Sequence, residues 1–293
     1  MVWTNAIVHG LLLGGLYALF ATGLSLVFGV MRLVNLAHGD LIVLASFLSL
    51  VLVHNLGWNP LETLVLLIPL MAVLGFLLQY LILNYTLDSG LAPLLATFGL
   101  SVIIQNALQE KFSADDQRLI AGAIETKSIQ VTNQISLGWF ELITFMVAVG
   151  LLLSLQFLIR RTRLGRALRA TSDDQRTAQL VGIDNRKLYG IAMALSMATV
   201  AIAGVFLGVY TTFAPTSGPL RLIFAFEAVI IGGLGSLWGT LVGGIVLGVA
   251  QTVGAQIDVQ YFALSGHVVF LAVLTARAAR ASGALHFLRR AAA

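Results

Sequence analysis

The sequence predicts an all-α fold: a polytopic membrane bundle of eight or nine transmembrane or re-entrant segments. Three observations carry this. Charged residues make up only 10% of the 293 and hydrophobic residues 58%, whereas a soluble domain carries about 25% charge. Mean hydropathy is +0.94. The apolar residues also fall into separated runs of about 20, the length that crosses a hydrocarbon core ~30 Å thick at ~1.5 Å per residue. So thin a polar skin excludes a cytosolic enzyme, a nucleic-acid-binding domain and a disordered chain. With no cysteine, disulfides, zinc-thiolate sites and thiol nucleophiles are excluded as well.

Nine runs qualify: Asn5–Val30, Leu36–Leu56, Leu61–Leu83, Leu91–Leu108, Gly138–Ile159, Lys187–Val209, Leu222–Gly235, Trp238–Ala255 and Phe262–Ala279. The first lacks the basic lead of a secretory signal and is too long for one, so it reads as a mature span. The seventh ends in Gly232-Gly233-Leu234-Gly235. So many glycines predict a break or a re-entrant turn, which survives at membrane depth only inside protein or along a cavity. Gly10-x-x-x-Gly14, Gly204-x-x-x-Gly208 and Gly244-x-x-x-Gly248 predict close helix packing. The chain reads as one domain, 1–293, with polar loops at 111–136 and 160–187.

The loop at 111–136 mixes both signs. The loop at 160–187 holds eight basic residues (Arg160, Arg161, Arg163, Arg166, Arg169, Arg176, Arg186, Lys187) against Asp173, Asp174 and Asp184. Basic loops stay in the cytoplasm. Nine alternating spans then place Arg32, Arg277, Arg280, Arg289 and Arg290 inside too, and Lys111, Arg118, Lys127 and Arg221 outside. The N-terminus falls outside.

The basic loop has more chemistry than a topology anchor needs. Thr162 is placed to cap a short helix, Arg163–Ala170, with Leu164, Ala167 and Leu168 on one side and arginines on the other. Ser172 and Gln175 have the spacing of a capping box for a second helix, Gln175–Val181. Ser172 precedes two acidic residues at the helix start, and Gly182 stands where a left-handed cap would end it. Ala178 and Val181 are expected on one face. The pattern fits either an interfacial helix on lipid or a knob that docks into a soluble partner.

At this point the chain resembles a known family. Arg161-Thr162-Arg163-Leu164-Gly165-Arg166-Ala167-Leu168-Arg169-Ala170, followed by Ala178-Gln179-Leu180-Val181-Gly182-Ile183, resembles the coupling loop of branched-chain amino-acid ABC importer permeases of the LivH-like type. Val34-Asn35-Leu36-Ala37-His38-Gly39-Asp40 resembles the family's Asn-x-Ala-His-Gly segment. Gly232-Gly233-Leu234-Gly235-Ser236 resembles its late glycine segment, and Thr97–Ser101 with Gln105-Asn106 also fits. The final run Leu274–Arg280 departs from the family's Arg-Pro-x-Gly-Leu-Phe ending, since it has no proline.

The resemblance implies a permease subunit in the bacterial cytoplasmic membrane, surrounded by lipid, moving branched-chain or related small amino acids. Its partners would be a second, LivM-like permease, two cytoplasmic ATP-binding subunits and a soluble solute-binding protein, with no nucleic acid. Coupling to the ATPases would run through Arg166, Arg169, Asp173, Ala178 and Gly182. The residues themselves supply one part of this. A P-loop needs Gly-Lys-[Ser/Thr]; Lys111, Lys127 and Lys187 follow Glu110, Thr126 and Arg186. ATP and Mg would therefore belong to partner subunits. The chain itself is read as no enzyme and as holding no cofactor or metal of its own.

Polar residues inside spans are costly and often functional. Asn35, His38 and Asp40 begin the second span, either as a cap or as a polar lining for a solute pathway. Glu227, like His9, lies deeper, either as an interhelical hydrogen bond or as part of that pathway. Gln105 and Asn106 read as helix glue. Three other readings compete: a permease of the same class for urea or short amides, an ion-coupled secondary transporter, and a membrane-embedded enzyme. The second needs carboxylates or broken helices in repeated halves, and the segments of Asp40 and Glu227 do not visibly repeat. The third needs a converging catalytic set; the sequence has no H-E-x-x-H or Gly-x-Ser-x-Gly, and no paired carboxylate sits within a span.

Overall fold

The structure is a computed structural model and describes residues 2–87, 90–132 and 135–281. Arg289 and Arg290, counted above for topology, lie outside the described residues. All nine predicted runs are helical: α1 (Val2–Met31), α2 (His38–Leu56), α3 (Leu64–Leu81), α4 (Ala92–Phe112), α6 (Trp139–Arg161), α9 (Asn185–Tyr210), α10 (Gly218–Gly232), α11 (Leu237–Ile257) and α12 (Tyr261–Ala281). Eight are long and apolar enough to cross a membrane. The exception is α10, at 15 residues, or ~22 Å. The loop at 111–136 contains a short helix, α5 (Ala123–Thr126), and an antiparallel hairpin of β1 (Ser128–Thr132) and β2 (Ile135–Gly138). The basic loop folds as α7 (Arg163–Asp173) and α8 (Gln175–Leu180).

The bundle has a basic end and an opposite end. Ser172 Oγ of the basic loop donates to Gly29 O near the end of α1, and Arg277 of α12 donates to Ile231 O near the end of α10. At the opposite end Leu119 N donates to Gly208 O, and Gln117 and Phe213 exchange two backbone hydrogen bonds of 2.9 Å. The alternation of spans is as the charge pattern predicts, with one correction. Arg221 does not lie in a loop at the outer end but in the first turn of α10, near Tyr17 in the mid-section of α1. The segment before it turns back into the protein: Phe213 is fully buried and stacks edge-on with Phe47 at 5.0 Å.

Both α2 and α10 begin at mid-depth. His38, the first residue of α2, bonds to Phe20 O, well inside α1. Gly218, the first residue of α10, lies against Gly39, where a Cβ would fall 2.0 Å from Gly218 O. The two helix starts meet there, one helix running to each end of the bundle. Around this junction the chain repeats itself turned end for end. α1 packs along α11 as α9 packs along α3; α2 lies on α9 as α10 lies on α1; α4 flanks α2 as α12 flanks α10. The segments bearing Asp40 and Glu227 therefore do repeat in space, contrary to the sequence reading, which saw no repeat because helix geometry can recur without shared side chains.

The glycine spacings act as expected. Along α1 and α11, Gly248 faces Gly10 O and Gly244 faces Gly14 O, and a Cβ at either would fall 2.3 or 2.5 Å from that oxygen. Gly204 meets Ile42 O of α2 in the same way. Where lipid supplies no hydrophobic drive between helices, such close backbone approach supplies the packing.

Candidate functional site

Three polar groups gather at the α2–α10 junction, and each has a distinct task. Asn35 Oδ1 accepts from Ala37 N at 3.0 Å, which fixes the turn before α2. His38 Nε2 donates to Phe20 O at 2.8 Å, and its ring fills the space beside Gly23, where a Cβ would meet Cε1 at 3.0 Å. Asp40 turns toward α4: Ser101 Oγ donates to Oδ2 at 2.6 Å and Gln105 Nε2 to Oδ1 at 2.9 Å. The start of α10 closes over the same carboxylate, so a Cβ at Gly218 would fall 1.9 Å from Oδ1. The positive end of the helix dipole favours an anion there. Each of the three side chains is 1% exposed. Gln105 is thus glue of the predicted kind, and Asn106 bonds within its own helix to Val102 O.

Glu227 is separate from this group. It lies nine residues along α10 from Gly218, ~13 Å away. Its Oε1 contacts His267 Nδ1 of α12 at 2.5 Å, and the buried Oε2 has no partner. His9 likewise contacts Glu141 of α6 at 2.9 Å, so both deeper polar residues make the interhelical bonds that the sequence suggested. Beside Glu227, the Tyr17 hydroxyl of α1 donates to Gln251 Oε1 of α11. The Tyr17 ring packs on Phe224 with centroids 5.2 Å apart, and Phe224 stacks on His267 at 6.4 Å. Sequence reasoning missed Tyr17 and Gln251 because an isolated tyrosine or glutamine in an apolar run has no pattern of its own.

The basic loop is a braced unit. Thr162 caps α7 as predicted, accepting from Gly165 N at 3.0 Å. The predicted capping box at Ser172 is corrected: α7 runs on through Asp173, and α8 is capped by Asp174, which accepts from Arg176 N and Thr177 N. Asp174 is one residue before the helix, and Thr177 Oγ1 adds a third bond at 2.6 Å. Hydrogen bonding from Thr177 holds the Asp174 carboxyl below the usual carboxylate range. Ser172 is thereby free to reach Gly29 O at 2.6 Å. Thr171 bonds Asn185 Oδ1, and Asn185 Nδ2 bonds Gln175 O, so α7, α8 and α9 are locked together.

Leu168 of α7 sits in a small core with Leu26, Val30, Leu188, Tyr189 and Ala192. Beside it, a cavity of about 260 Å³ is lined by residues of α1, α6, α7 and the start of α11. Gly182 is left-handed, φ 86°, as expected. Arg166, Arg169, Asp173 and Gly182 are exposed, whereas Ala178 is buried. Ala178 and Val181 do not share a face; the exposed apolar pair is Leu180 and Val181, at 86% and 72%.

The model of the branched-chain amino acid transport system / permease component family matches residues 6–276. The chain belongs to that family. The high-affinity branched-chain amino acid transport system permease protein BraD of Pseudomonas aeruginosa is 29% identical over 272 residues, covering 87% of each chain. The corresponding permease protein LivH of Escherichia coli is 28% identical over 285 residues, 91% of each. A probable branched-chain amino acid transport permease protein LivH of Methanocaldococcus jannaschii is 30% identical over 258 residues, 86% of this chain and 80% of its own. No solved structure matches the chain. Family membership and the eight apolar helices together make this a multi-pass, inner-membrane permease component of a transport system.

Proposed function

We propose that this permease forms one half of the pore of an ATP-driven importer for branched-chain or related small amino acids. The observation that carries this is the braced α7–α8 unit, tied through Ser172 directly to Gly29 of the most buried span. A chain without a P-loop needs an external source of work, and a rigid element fixed to the central helix is a means of receiving it. The partners are a second, LivM-like permease, a soluble solute-binding protein and two cytoplasmic ATP-binding subunits that hold the ATP and Mg; this chain holds no cofactor. The ATPases dock on the exposed side of the unit, at Arg166, Arg169 and Asp173 and at the tip formed by Leu180, Val181 and Gly182. Ala178 supports that tip from within.

Of the four pathway candidates, Glu227 has a buried polar atom without a partner, which supports a role in contact with solute. Asn35, His38 and Asp40 act on transport through the position of α2 and α10. The test is a double substitution, Arg166→Glu with Leu180→Asp, in the purified importer. ATPase subunits should be lost from the complex, and ATP-driven leucine uptake should fall to background. Retained subunits with unchanged uptake would count against the reading. Uptake of urea or a short amide in place of leucine would shift it to that solute class.

One observation favours a second reading. Helices that start within the bundle in two end-for-end repeats also occur in ion-coupled carriers. Uptake by this chain alone in proteoliposomes, driven by a sodium or proton gradient without ATP, would select it.

A further inference from the structure

Buried polar atoms are nearly always paired. Among the described residues, six buried side-chain atoms have no hydrogen-bond partner, and three of them belong to one cluster: Arg221 Nε, Glu227 Oε2 and Gln251 Nε2. Tyr17 is its centre. Its hydroxyl is bonded to Gln251, and its ring lies on Phe224. On α10, Arg221 precedes Phe224 by three residues and Glu227 follows it by three, so the two charges flank that ring about 60° to either side. Arg221 lies within electrostatic reach of the Tyr17 hydroxyl, yet its Nε has no partner, and Glu227 pairs with His267 instead. A guanidinium and a carboxylate thus stand near one hydroxyl, each with an unused polar atom.

The cluster reaches the surface at two of its members: Arg221 and His267 are both partly exposed. A guanidinium at mid-depth is costly against hydrocarbon, so that surface faces water or protein. This is what a solute path between two permease halves requires.

We propose that Arg221, Glu227, Gln251 and Tyr17 form a recognition site for the backbone of a zwitterionic α-amino acid. Arg221 takes the carboxylate and Glu227 Oε2 the ammonium. Gln251 Nε2 supplies a second donor to the carboxylate, and Tyr17 with Phe224 gives an aromatic wall for an apolar side chain. His267 holds the other Glu227 oxygen and so fixes the direction of Oε2. A neutral solute satisfies neither charge, so the site selects amino acids over amides and sugars by leaving buried groups unpaired for the wrong ligand. The inference rests on the importer reading above and deepens it.

The test uses the assembled importer in nanodiscs with photo-leucine, a diazirine analogue of leucine, followed by illumination and peptide mass spectrometry. ATP-driven leucine uptake is measured on the same preparation. Label should fall on the segments bearing Tyr17, Phe224 and Gln251 and be displaced by excess leucine. It should drop on the order of tenfold in Arg221→Gln, the loss of one charge-assisted bond, with partial recovery in Arg221→Lys. Glu227→Gln, which preserves shape, is compared alongside in case the arginine variant fails to assemble, and should also lose label. Competable label confined to the Asp40–Gln105 region, undiminished label in both neutral variants, or uptake without label at these segments would overturn the site alone. No leucine uptake by the wild-type importer would overturn the amino-acid reading, and the site with it.

Discussion

The two helices that start inside the bundle, α2 and α10, are a matched pair with opposite chemistry. At the start of α2, Asp40 receives two side-chain hydrogen bonds and the end of a helix, and nothing is left over. Along α10, Arg221 and Glu227 each keep a polar atom without a partner. Both regions place charge at membrane depth, where charge is expensive. The first is compensated entirely within the chain, which is how a joint behaves. The second waits for something from outside, which is how a site behaves. Satisfaction of the polar groups, more than their presence, separates the two.

The largest effect is expected at the contact of the two helix starts. Gly39→Val would drive side-chain carbons into Gly218 O, and such overpacking costs about 3 kcal/mol or more where backbone must move. Folded protein recovered by size exclusion in detergent should fall to traces. Gly248→Leu, which presses α11 into Gly10 O, should do the same and so shows that the effect comes from packing.

Smaller effects are expected at the basic end. Ser172→Ala removes the bond to Gly29 O and should cost about 1 kcal/mol, seen as a drop of a few degrees in melting temperature. It should also lower uptake per ATP hydrolysed more than it lowers hydrolysis itself. Asp174→Ala should fray α8 alone, giving a few-fold weaker recovery of ATPase subunits and no change in melting temperature. The same contact has a sign in pH. The Asp174 and Asp184 carboxyls are both held low, by Thr177 and by the Lys187 backbone N–H respectively. Their contribution is therefore full above the ordinary carboxylate range near ~3.9. It is lost as pH falls through the lowered values. ATPase recovery should be flat across neutral pH, with any loss from this source confined to strongly acidic buffer.

Much of this was legible in the sequence. Runs of apolar residues gave all nine bundle helices, and the glycine run after Ile231 marked the one that is too short. The charge pattern gave the order of ends. The failures share a physical cause. Arg221 reads as external because Thr211–Pro219 looks like a loop leaving the membrane, and nothing local shows that the chain turns back on Phe213 instead. The repeat of α1–α4 in α9–α12 is invisible because His38-Gly39-Asp40 and Gly218-Pro219-Leu220 solve the same backbone problem with different side chains. Ser172 has the right capping spacing, but Asp174 is nearer the helix and gains Thr177, so Ser172 was released to α1. The site was legible only through Glu227; Tyr17, Gln251 and Arg221 become significant only when three helices bring them together.

The contrast between joint and site is tested most directly by Asp40→Asn and Glu227→Gln, compared in the same importer for melting temperature and for leucine uptake per folded complex. Asp40→Asn removes the charge and one of the two acceptor oxygens used by Ser101 and Gln105 and should cost about 2 kcal/mol, with uptake per folded complex largely kept. Glu227→Gln should melt within a degree or two of the wild type and lose most uptake. The opposite pattern, a stable but inactive Asp40→Asn beside an unstable but active Glu227→Gln, would contradict the account.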